Sequence, residues 1–83
     1  MRLIINKDDS NNLEKVFDLV KKLNGIAYDL INAEKPSSML ILRSIISLDE
    51  YAFDLGTITR ELYNTMSKRI NSTFAIPEET TTE

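Results

Sequence analysis

The chain has no cysteine, no histidine and no tryptophan. Without cysteine there is no disulfide framework and no thiol chemistry, a weak match to a reducing compartment. Without histidine there is no imidazole base near neutral pH, no Ser/His or Cys/His catalytic pair, and no histidine ligand for zinc. Serines and threonines are plentiful, but nothing is present to activate one as a nucleophile, and no glycine-rich loop exists to cradle a phosphate. The expectation is therefore a protein that is not an enzyme. Glycine and proline are scarce, two of each in 83 residues, which favours helix over a β-sandwich. No apolar run reaches the roughly 18 residues a membrane span requires. The start, Met1 to Asn6, has only Leu3-Ile4-Ile5 as a hydrophobic run, too short for a signal peptide, so a cytoplasmic location without membrane insertion is expected. Nor is there an excess of positive charge. The net charge is −3, and Glu78, Glu79 and Glu83 account for it; up to Ile76 ten acidic residues balance ten basic ones. A neutral body without a clustered Lys/Arg face argues against nucleic acid as a partner.

What is present is apolar periodicity. Apolar residues make up 42% of the chain and charged residues 28%, a globular composition in a chain long enough for one domain only. Asp8-Asp9-Ser10 reads as a helix start, with acidic groups and a capping hydroxyl at the positive end of the helix dipole. From there Leu13, Val16, Phe17, Val20, Leu23, Ala27, Leu30 and Ile31 recur at gaps that place them on one stripe, predicting a helix over 10–34. Gly25 falls inside it and either eases a close helix contact or marks a bend. Pro36 disfavours helix at Lys35, and Ser37 or Ser38 can cap a second helix. That helix is predicted over 39–72. Ile41, Ile45, Leu48, Ala52, Leu55, Thr59, Leu62 and Met66 hold a seven-residue repeat along it, and Leu42, Ile46 and Phe53 widen the stripe. Lys68 and Arg69 complement the negative end of its dipole.

The predicted architecture is all-α, a long antiparallel helical hairpin. Residues 1–9 form an arm or short strand, 10–72 the hairpin, and 73–83 a flexible acidic tail. The second helix is the longer, about 51 Å against about 37 Å at 1.5 Å per residue. Its surplus apolar surface predicts a homodimer in which two hairpins form a four-helix bundle.

Two acidic pairs stand out. Glu50 and Asp54 are one helical turn apart, on a polar stripe with Arg43, Ser47, Thr57 and Glu61. Oxygen ligands so placed suit a hard divalent cation or iron if a second helix completes the shell. A solvated helix face has the same pattern, and spacing alone favours it. Glu14 and Asp18 repeat the spacing on the first helix, beside Lys21 and Lys22, where ordinary ion pairing explains them; counted from the turn, Asp18 is level with Asp54. Tyr28, Tyr51 and Tyr63 read as boundary residues. Asn71-Ser72-Thr73 has the form of a glycosylation acceptor, of no consequence in a chain read as cytoplasmic.

The segment Leu42-Arg43-Ser44-Ile45-Ile46, followed by Asp49-Glu50-Tyr51-Ala52-Phe53-Asp54-Leu55, resembles the signature helix of the phosphate-uptake-regulator (PhoU) family. That helix starts with arginine-serine and carries a Glu/Asp-x-x-x-Asp motif; archaeal members look similar around the Glu50-Tyr51-Ala52-x-Asp54 pattern. The likeness spans residues 40–62. It implies a regulator of phosphate uptake that contacts a transporter or a sensor component, with Glu50 and Asp54 as candidate metal ligands. Family members hold two three-helix repeats, against one partial unit here, and often place an acidic residue where this chain has Thr57. The alternative is a metal-free helical dimerisation or adaptor module of another pathway.

Overall fold

The computed structural model describes residues 5–74, and they form two helices joined by a short connection: α1 (Lys7–Asn32) and α2 (Ser38–Phe74). They pack side by side as the expected all-α hairpin. At 26 and 37 residues they measure about 39 and about 55 Å.

α1 begins three residues earlier than expected, and the reason is local. Asn6 is the N-cap. Its side chain accepts from the Asp9 backbone N–H at 2.8 Å, while the Asp9 carboxylate accepts from the Asn6 N–H at 3.1 Å. This reciprocal capping box satisfies two otherwise orphaned donors. Asp9 therefore belongs to the first turn. α1 closes at Asn32, whose side-chain amide donates to the Tyr28 carbonyl at 2.8 Å before Ala33 turns extended. Lys35 adopts a φ of 53°, in the left-handed region, which turns the chain ahead of Pro36. Ser37 then caps α2, its hydroxyl accepting from the Leu40 N–H at 3.1 Å. Of the arm expected at the start, residues 1–4 lie outside the described residues; of the tail, residues 75–83 do, and residues 73 and 74 belong to α2.

The helices meet along a narrow seam. From α1 come Val16, Leu19, Leu23, Ile26 and Leu30; from α2 come Leu48, Tyr51, Leu55, Ile58, Leu62 and Met66. Only Leu19, 8% exposed, is a buried apolar residue among those described. Leu19 and Ile26 were not part of the stripe expected on the first helix. The seven-residue repeat expected on the second divides in two. Leu48, Leu55, Leu62 and Met66 are half-buried, whereas Ile41, Ile45, Ala52 and Thr59 are exposed. Gly25 is exposed, and a Cβ there would meet nothing within 4 Å, so it mediates no close contact between the helices.

Candidate functional site: the two sides of the hairpin

At about 100° per residue, the residues of α1 facing α2 centre near Leu19, Leu23 and Leu30. Leu13, Val20 and Ile31 lie about 90° further round. On α2 the covered strip runs through Leu48, Leu55 and Leu62. Ile45, Ala52, Gly56 and Tyr63 again lie about 90° further round. Both uncovered strips open on the same side of the hairpin. There Ile5, Leu13 and Val16 line one groove of about 460 Å³ together with Thr59, Leu62, Tyr63 and Ile70. Large apolar side chains on these strips stand well out of the fold: Leu13 is 46% exposed, Ile45 49% and Tyr63 64%.

The opposite side is charged. Lys15, Asp18, Lys22, Asp54 and Thr57 line a second groove over a floor of Leu19 and Ile58, with Phe53, 74% exposed, at its edge, and the Lys22 ammonium lies 5.2 Å from the centre of the Tyr51 ring. The folded hairpin thus brings Asp18 and Asp54 to one groove, as their distance from the turn suggested. Glu50 borders a shallow hollow on the back of α2 with Asp49 and Asp54. Glu14 lines neither. Glu50 and Asp54 are both exposed. Among the described residues, no three acidic side chains converge to hold a metal ion. A hard cation takes six or more oxygen ligands, so Glu50 and Asp54 within one chain are an incomplete set, and Asp54 shares its groove with Lys15 and Lys22.

The open end carries the most buried polar group. Asp9, 3% exposed, receives both guanidinium nitrogens of Arg69: Nη1 donates to Oδ2, and Nη2 to Oδ1 at 3.4 Å. Nη1 also lies 3.5 Å from the Met66 sulfur. The hydrogen bond from Arg69 holds the Asp9 carboxyl below its ordinary range, the Asn6 N–H adds to this, and burial opposes it. The same bond raises the Arg69 guanidinium. The dipole role expected for Lys68 and Arg69 does not apply, because α2 continues to Phe74 and neither lies in its last turn. Arg69 instead clasps α2 to the first turn of α1. The Asn-x-x-Asp capping pattern is legible in the sequence; the partner is not, because Asp9 lies 27 residues before Pro36 and Arg69 lies 33 after it.

Neither helix is long and apolar enough, over the described residues, to cross a membrane. No protein-family model matches the chain, and no curated protein or solved structure matches it either.

Proposed function

We propose that this chain is a helical interaction module that works by protein–protein contact through the apolar side of the hairpin. The first contact is with a second copy, giving a homodimeric four-helix bundle. One observation carries the reading: among the described residues a single apolar side chain is buried, while ordered apolar strips on both helices face solvent together. The 90° offset between covered and uncovered strips is the angle at which a helix in a square four-helix bundle meets its two neighbours. Sedimentation equilibrium over a wide concentration range tests this. A species of twice 9.5 kDa is expected, and a compact, stable monomer throughout would defeat it.

A second reading adds a pathway. The likeness of residues 40–62 to the phosphate-uptake-regulator helix, and the exposure of Glu50 and Asp54 one turn apart, support a regulator contacting a transporter or sensor component, with a divalent metal or iron at those carboxylates. Metal analysis of the purified protein separates the readings. Stoichiometric metal lost in Asp54→Asn supports the metal-bound regulator. Absence of metal, with assembly unaltered by Asp54→Asn, leaves the metal-free module.

A further inference from the structure

The uncovered strip of α2 has an internal order. Along it come Ile45, Asp49, Ala52, Gly56, Thr59 and Tyr63, spaced alternately by four and three residues and all exposed. The ends are bulky and the middle is small. We propose that the second copy lies antiparallel with α2 against α2, its two-fold axis passing level with Asp54. Ala52 then packs on Gly56 of the partner subunit, Ile45 meets Tyr63 of the partner subunit, and Asp49 reaches Arg60 of the partner subunit. This rests on the dimer reading above and adds the register and the pairing.

Turning the strip end for end about Asp54 superposes each member on a complement: bulky on bulky at the ends, small on small in the middle, acid beside base between them. Asp49 falls opposite Thr59 and next to Arg60. Both charged groups are exposed, and neither forms an ion pair with a described residue. The Arg60 guanidinium already lies along the strip, 5.8 Å from the Tyr63 ring centre. A parallel arrangement would instead set Asp49 against Asp49, and like charges repel. Packing α2 on the partner subunit's α1 fares no better. The strip there, Leu13, Phe17, Val20 and Ile31, has a cation at Phe17, where the Lys21 ammonium lies 5.3 Å from the ring centre; against Leu13, Val20 or Ile31 Asp49 would be covered without a counter-ion, which is strongly unfavourable.

Gly56 fits the same register. A glycine in a helix interior is unfavourable relative to alanine, and nothing inside the chain requires it: a Cβ there meets nothing within 4 Å. A second helix backbone crossing at Gly56 can approach more closely than at any larger residue. Along α1, the Lys22–Tyr51 contact places Val20 nearly level with Asp54, so Val20 lies beside the axis and meets its own symmetry mate.

Reciprocal charge exchange tests the register. Asp49→Arg and Arg60→Asp should each raise the dimer dissociation constant by about tenfold or more. The double variant in one chain should return it to within about threefold of the parent. Gly56→Leu should dissociate the dimer while Gly25→Leu leaves it intact, with circular dichroism showing both still helical. Because the chain contains no cysteine, Val20→Cys can be joined by a short bismaleimide; cross-linked dimer is expected there and not for Lys15→Cys. A parent protein that dimerises but shows no charge rescue and no Val20 cross-link overturns the register while leaving the dimer reading standing. A parent that is monomeric throughout overturns both.

Discussion

The two sides of this hairpin are built from the same two helices and have opposite characters. On one side Leu13, Val20, Ile45 and Tyr63 face water, and on the other Lys15, Asp18, Lys22 and Asp54 do. Both are exposed in a single chain, but water is a suitable environment for only one of them. A charged side of lysines and carboxylates is fully solvated and gains little from closer pairing. A continuous apolar side gains about 25 cal/mol for each Å² removed from water. Exposure alone therefore does not tell function; the chemistry of what is exposed does. The acidic pair Glu50 and Asp54, the most conspicuous feature of the sequence, lies away from the apolar side.

The contrast breaks most sharply with a charge placed on the apolar side. Val20→Glu should weaken dimerisation by about 3 kcal/mol, more than a hundredfold, because the carboxylate loses its hydration and faces its own symmetry mate. Asp18→Asn, on the charged side, should change assembly and stability by less than about 0.5 kcal/mol. Analytical ultracentrifugation and urea unfolding measure both. Equal effects would remove the distinction between the sides.

Acid comes next, through the clasp at the open end. The Asp9 carboxyl is held below its unfolded value by Arg69. Its stabilising contribution is therefore complete above the ordinary carboxylate pKa of about 3.9, and is lost as pH falls from there through the lowered folded value. Thermal unfolding of Arg69→Gln should show a smaller loss of melting temperature below pH 4 than the parent. An identical acid dependence would show that the clasp contributes nothing.

The glycines sharpen the comparison further. Gly25→Ala should stabilise the fold by about 1 kcal/mol with no change in dimer affinity. Gly56→Ala offers the same helix gain but should lose part of it to a looser interface, so the two variants should differ in dissociation constant and not in monomer helicity. The smallest effect is at the turn. Lys35→Gly relieves the positive φ and should raise stability by about 0.5 kcal/mol, after the added flexibility of the unfolded chain.

How much of this could be read from the sequence follows from what periodicity measures. The existence of two long helices, the Pro36 break and the Ser37 cap were legible because the signals are local. The start of α1 was misplaced because Asp8-Asp9-Ser10 offers a plausible cap, and only the reciprocal Asn6–Asp9 bonding distinguishes the earlier one. The repeat from Ile41 to Met66 read as one seam. It is two strips side by side, one against α1 and one facing outward, and a single helix pattern holds no record of which edge its neighbour covers. Leu19 and Ile26 were passed over because other apolar residues met the same spacing. The Asp9–Arg69 pair joins residues sixty positions apart, and its detection depends on the level at which the helices cross.

The central claim is that the apolar side is an interface and the charged side is surface. Thr59 and Thr57 test it with neighbouring residues of one helix, both exposed in the single chain, with hydroxyls that donate to their own helix at Gly56 and Phe53. Thr59→Cys and Thr57→Cys can each be labelled with a thiol reagent at rising protein concentration. The account predicts that Thr59→Cys becomes protected as the dimer forms while Thr57→Cys reacts at a constant rate. Equal, concentration-independent labelling at both positions would contradict it.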